Sequence, residues 1–227
     1  MHMQKIIFVS GPCGCGKTTF TDAYTRHLVR KEKKTIYVIH GDDFQRGFVQ
    51  PEDKPDFFPD GQASDRVLWE EILWFNWDCI IATAERALQQ NLDVIIDYVI
   101  EDELPRVQAL AEKYHTALYY IVLTADADEI ERRIRSRGDT DMIERALFLK
   151  RKLEGLPENR GHLYNNTGKT PENAILEIDP ERYLVQAEYR EGTGCDLRAD
   201  QVNRERGRTE SACQTAGRRV ISRDTGL

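Results

Sequence analysis

Residues 11–18 read Gly-Pro-Cys-Gly-Cys-Gly-Lys-Thr, an instance of G-x-x-x-x-G-K-[ST]. The flanks give the pattern its meaning. Lys5-Ile6-Ile7-Phe8-Val9-Ser10 is a short apolar run of buried-strand type, and Thr19 to Arg30 is compatible with a helix. Strand, glycine loop and helix is the setting in which such a loop binds phosphate rather than merely turning the chain. Gly11, Gly14 and Gly16 let the backbone wrap closely around an anion. Successive N–H groups through Pro12, Cys13, Cys15 and Thr19 then form an inward-facing nest (the proline lending shape but no donor), and the helix presents its positive end to the phosphates. Lys17 is expected to reach the β- and γ-phosphates, and the Thr18 hydroxyl to ligate Mg²⁺.

Further along, short apolar runs alternate with helical stretches, as in a mostly parallel sheet covered on both faces. Thr35 to Ile39, Val94 to Val99 and Leu118 to Leu123 predict three more strands, and Gly161 to Asn165 a weaker fifth. A long loop rich in Asp, Pro, Phe and Gly is expected over 41–64, and helical material from about Ser64 to Gln90. Further helices are expected over 103–114, 127–137 and 142–153, the last two broken near Gly138-Asp139. Thr170-Pro171-Glu172 opens a final helix, with Thr as cap, Pro at the first helical position and an acid in the first turn. The expected fold is α/β: a three-layer arrangement with a five-stranded, mostly parallel sheet.

In an open parallel sheet, ligands bind beyond the carboxyl ends of the strands. Gly41-Asp42-Asp43-Phe44 follows the second strand directly. A carboxylate there can take a proton from an acceptor hydroxyl or hold Mg²⁺ through water. Asp42, first off the strand, is the expected base; Asp43, Phe44 and Arg46 are candidates to orient it or to hold the acceptor. Asp97 ends a buried strand, where a charge is costly without a partner. Mg²⁺, a metal-bound water or the Thr18 hydroxyl would supply one, so Thr18 and Asp97 form the expected metal set. Arg133 and Arg137, four apart on one helical face, could neutralise charge that develops during phosphoryl transfer. With Gly138-Asp139 as hinge, they suggest a lid over about 133–141. Arg132, Arg135 and Arg145 are weaker candidates. Phe57, Phe58, Trp69, Trp74, Phe75 and Trp77 suit either an acceptor pocket or plain core packing. His40, His115 and His162 show no metal or triad partner in the sequence and read as structural.

The chain of 227 residues has 40% hydrophobic and 31% charged residues and a formal net charge of −7. That balance argues against a protein that coats nucleic acid or an anionic membrane. No run of 18 apolar residues exists, and Met-His-Met-Gln-Lys leads directly into the first strand, which suits no signal peptide. The five cysteines, Cys13, Cys15, Cys79, Cys195 and Cys213, lack zinc spacing and fit a reducing cytoplasm. A monomer or homodimer acting on a small molecule is expected. Residues 186–227 carry eight Arg and seven acidic residues with no hydrophobic period, and the domain is expected to end at 185, followed by a poorly ordered tail.

The residues assembled above resemble the small P-loop kinases. Ile39-His40-Gly41-Asp42-Asp43-Phe44 is similar to the strand-two motif of uridine-kinase-like and nicotinamide-riboside-kinase-like enzymes. It is also similar to the Asp-x-Phe-x-Arg pattern of zeta-toxin-type and chloramphenicol-phosphotransferase-type kinases. Glu131 to Arg137 resembles their lid, and Asn166 to Glu172 the turn before their final helix. That turn borders the adenine in those families, so the resemblance implies base contacts from Thr167, Gly168 and Lys169. It covers roughly residues 4–185 and implies Mg²⁺-dependent transfer from ATP to a hydroxyl of a nucleoside, sugar or hydroxylated antibiotic. The alternatives are a toxin-like or polynucleotide-end kinase, and a nucleotide-dependent switch ATPase without an acceptor.

Overall fold

In the computed structural model, the residues described are 4–48 and 69–185. The readings at Phe57 and Phe58, most of the loop over 41–64, the side chain of Trp69 and the Arg-rich tail lie outside them. Five strands, β1 (Lys5–Ser10), β2 (Ile36–His40), β3 (Asp93–Asp97), β4 (Ala117–Thr124) and β5 (Leu163–Asn165), form one sheet. Its order is β2-β3-β1-β4-β5, and every pairing between these strands is parallel. The two central strands β1 and β3 are buried from Ile6 to Ser10 and from Asp93 to Asp97. That explains why they read as continuous apolar runs instead of alternating.

The helices follow the expected positions, β3 ends at Asp97 and not at Val99, and two further differences bear on the site. The helices are α1 (Lys17–Glu32), α2 (Asp42–Gln45), α3 (Trp69–Gln89), α4 (Leu104–Lys113), α5 (Ala127–Arg137), α6 (Ile143–Gly155) and α7 (Pro171–Glu177). First, the stretch after β2 does not begin as open loop but as the single turn α2, because two carboxylates in its first turn suit a helix start. Second, β5 starts two residues later than predicted, at Leu163, because Gly161 and His162 precede the ladder. The break between α5 and α6 is real: Gly138 caps α5 in the left-handed conformation, and a 3₁₀ turn, Thr140–Met142, precedes α6.

Alternation of side chains along the strands divides the core into two layers. Ile6, Phe8, Val94, Ile96, Tyr120 and Val122 face α3, α4 and α6. Ile7, Val9, Ile95, Ile121 and Leu123 face Phe20, Tyr24 and Leu28 of α1, Ala174 and Ile175 of α7, and Ile178 just past its end. Trp77 belongs to the first layer: it is 1% exposed and stacks on Phe8 with ring centroids 5.5 Å apart. Trp74 and Phe75 instead stay about half exposed. Among the described aromatics of this segment, core packing therefore accounts for Trp77 alone.

Candidate active site

The chain leaves β1 at the centre of the sheet. It returns through β2 and β3 on one side and β4 and β5 on the other, so the loop after β1 lies where the strand order reverses. Ligands of open α/β sheets bind at that crevice. The loop over 11–16 is tightly built. Gly14 has φ 78°, a conformation side chains rarely adopt, and a Cβ there would approach Ile134 Cγ1 to 2.8 Å. Cys15 is fully buried, and burial pushes its thiol up, so it acts as a small packing residue and not as a nucleophile. Lys17 Nζ donates to the Gly11 carbonyl at 2.9 Å and to that of Pro12 at 3.3 Å. Burial works against its ammonium. The Cys15 and Cys13 sulfurs and the Asp42 and Asp97 carboxylates outweigh that and hold it above its ordinary value.

The ends of β2 and β3 meet beside this loop. Asp97, 2% exposed, receives the Thr18 hydroxyl at 3.3 Å on Oδ1 and lies 2.6 Å from His40 Nδ1 on Oδ2. Burial pushes the Asp97 carboxyl up, and the hydrogen bond from His40 opposes it. A hydroxyl and a carboxylate oxygen are hard donors and fit Mg²⁺. Among the described residues no group of three or more His, Cys, Asp or Glu forms a metal cage. Magnesium at phosphoryl-transfer sites needs none, since phosphates and water complete its shell.

Asp42 is exposed, and its charge bears on Lys17, Asp97 and Tyr98. The turn that carries it is wedged against the core. Gly41 N–H donates to the Asp97 carbonyl at 2.9 Å, and a Cβ on Gly41 would come within 2.8 Å of Ile80 Cδ1 and closer still to the Tyr98 ring. Asn76 Nδ2 donates to Gln45 at 3.2 Å and to the Tyr98 hydroxyl at 2.9 Å, fastening α2 to α3. Asp43 and Arg46 pair with each other at 2.6 Å on the surface, and Phe44 packs on the core.

On the other side, Arg133 spans three elements. Its Nε donates to Glu129 at 2.7 Å, NH1 to the Cys15 carbonyl and to Asn166 Oδ1 at 3.1 Å each, and NH2 to the Asn166 carbonyl at 3.4 Å. Arg132 and Arg133 together hold the Glu129 carboxyl at about 2. Arg137 is half exposed, 3.6 Å from Asp139. A cavity of about 290 Å³ opens beside the loop, lined among others by Gly16, Thr19, Arg133, Asn166, Lys169 and Pro171. Of the residues implied at the base, Lys169 lines it. Thr167 instead takes the Asp126 N–H at 2.7 Å, and Gly168 forms the turn. Asn166 is not among the candidates the sequence offers, and His40, read there as structural and without a partner, instead stands 2.6 Å from Asp97. Asn166 stood at the head of a recognised turn, and His40 was one residue from Asp42.

Residues 7–158 match the AAA domain family. The chain is 27% identical over 137 residues to a guanylate kinase of Caldanaerobacter subterraneus subsp. tengcongensis, covering 59% of this chain and 64% of that protein's length. A sugar kinase of Janibacter sp. superposes with a TM-score of 0.50 at 17% identity, over 80% of this chain and 98% of that one. The Mycobacterium tuberculosis APS kinase solved with AMPPNP and APS gives 0.51 at 14% identity, over 78% and 96%. These likenesses establish the fold of the small P-loop kinases. No helix among the described residues is long and apolar enough to cross a membrane.

Proposed function

This chain belongs to the AAA domain family, and from that premise we propose that it transfers the γ-phosphate of ATP to a hydroxyl of a small molecule such as a nucleoside, a sugar or a hydroxylated antibiotic. The observation that carries the proposal is Asp42, set on a braced turn at the carboxyl end of β2 with its charge on Lys17. A switch that only binds or hydrolyses nucleotide needs no carboxylate held there. Residues 1–185 form the catalytic unit, and its lid, expected over about 133–141, is confined to the stretch beyond Arg133, because Arg133 is tied to the loop and to Asn166.

The loop over 11–19 cradles the phosphates and Lys17 draws charge from the migrating group. Arg133 joins the loop to the cavity beside it, where the base lies. Thr18 and Asp97 would hold Mg²⁺, which supplies charge neutralisation between the β- and γ-phosphates when bound. Asp42 accepts the hydroxyl proton as the acceptor oxygen bonds to the γ-phosphorus and the bond to the ADP oxygen breaks. Arg137, at the lid, meets the charge that spreads over the transferred group.

A guanine nucleotide phosphate acceptor is the nearest competitor, on the name of the guanylate kinase relative. ATP hydrolysis without an acceptor is the other alternative. Incubation with Mg·ATP and a pool of alcohols plus GMP, read by mass spectrometry, separates all three. The expected result is one alcohol gaining a phosphate. Lys17→Ala should abolish transfer, and Asp42→Asn should lower kcat about a hundredfold or more while ATP affinity stays within about threefold. Asp42→Asn turning over at the wild-type rate would rule out the assigned base.

A further inference from the structure

The fold brings together four side chains that the sequence keeps apart. Asp22 and Thr18 are one turn apart on α1. His40 is the last residue of β2, and Asp97 the last of β3. The parallel register sets His40 directly beside Asp97. The imidazole stands between two carboxylates: Nδ1 is 2.6 Å from Asp97 Oδ2, and Nε2 is 3.4 Å from Asp22 Oδ1. With Asp97 ionised, as a metal-binding carboxylate must be, its oxygens can only accept, so Nδ1 carries the hydrogen. The other Asp97 oxygen is turned toward the Thr18 hydroxyl at 3.3 Å.

We propose that His40 is a positioning residue for the metal set: by holding Asp97 Oδ2, it fixes the carboxylate rotamer that presents Oδ1 beside Thr18. The inference rests on the Mg·ATP reading above and extends it to a residue outside the proposed metal ligands and base. A carboxylate on a strand end can rotate about its Cβ–Cγ bond. One strong hydrogen bond to one oxygen stops that rotation and leaves the other oxygen aimed. Asp22 acts on the far side of the ring. It comes from the same helix as Thr18, so imidazole, carboxylate and hydroxyl are held in one frame. Outer contacts of this type change metal affinity by about 10–100-fold when removed.

The test reads metal binding instead of turnover. Mn²⁺ titrations followed by EPR, on the full chain with a non-hydrolysable ATP analogue, give the metal affinity directly. Nucleotide affinity in EDTA and a urea unfolding curve report the loop and the fold. His40→Leu should weaken Mn²⁺ about tenfold or more, with nucleotide affinity in EDTA within about twofold of wild type. His40→Asn should restore Mn²⁺ affinity to within about threefold, because its amide nitrogen stands where Nδ1 stood; His40→Gln, whose nitrogen mimics Nε2, should not. Wild-type Mn²⁺ affinity in His40→Leu would overturn the proposal. So would equal losses in His40→Leu and His40→Asn, which would mean that volume, not the hydrogen bond, matters. Failure of the wild-type chain to bind Mn²⁺ with nucleotide would overturn the ATP reading as well.

Discussion

Asp42, the proposed base, holds a position that its neighbour makes possible. Gly41 is there for closeness and not for an unusual φ, since its backbone is ordinary at φ −60°. The Tyr98 ring and Ile80 occupy the space a methyl group would need. Gly41→Ala should therefore cost about 1–3 kcal/mol by overpacking, seen as a lower urea midpoint at unchanged slope. It should also slow transfer more than it weakens ATP, because relief of the clash moves the turn that bears Asp42. Much at this scale was legible in the sequence. The loop residues and Asp97 follow from one motif and one charge at the end of an apolar run. His40 was not legible: nothing in its own neighbourhood names Asp97 as its partner, and only the order of the strands makes them adjacent.

Helices α5 and α7 and strand β5 hold the far wall of the site, and β5 is the shortest of them. It is pinned at its start. His162 Nδ1 donates to the Tyr120 carbonyl at 2.9 Å, its ring lies against Tyr120, and its own carbonyl takes the Val122 N–H at 2.8 Å. Burial lowers the His162 pKa below its ordinary 6.5, opposed by the Tyr120 carbonyl. The unfolded chain thus binds the proton more readily, and stability falls as pH drops from about 6.5 through the folded value. His162→Gln should flatten that part of the stability curve between pH 7.5 and 5.5. An unchanged slope would mean the ring is no acid-sensitive pin. The sequence pointed to this strand weakly because three ladder residues carry little pattern. The turn after it was visible through its glycine and the Thr170 cap, whose hydroxyl does accept the Asn173 N–H. Asn166 became a site residue only through Arg133, which arrives from a helix 33 positions away.

For the molecule as a whole, the alternation of strands and helices was enough to foresee the layers; strand order was not, because it depends on which crossovers pack. The cover on the first half of β4, which β5 leaves unpaired, was also hidden. There the 3₁₀ turn Pro180–Tyr183 buries Tyr183, and Val185 N–H reaches back to the Leu118 carbonyl at 2.8 Å. Residues 1–185 form a unit of their own. A chain ending at 185 should keep the stability and Mg·ATP affinity of the full chain. One ending at 179 should lose about 3 kcal/mol in urea unfolding, mostly for exposing Tyr183 and its neighbours. Equal stability of the two would show that the edge strap is idle. Arg133 and the packing of Ile134 against Gly14 have a consequence for timing. Because α5 is bound to the loop, it cannot swing alone, and the proposed lid shrinks to the run from Gly138 to Met142 with Arg137 at its root. So short a segment relaxes in nanoseconds to microseconds, as loops do, and not on the slower clock of domain hinges. The two arginines then keep different time. In the proposed cycle Arg133 is the fixed fitting and Arg137 the one free to come and go, so that chemistry or product departure, and not the lid, would set the pace.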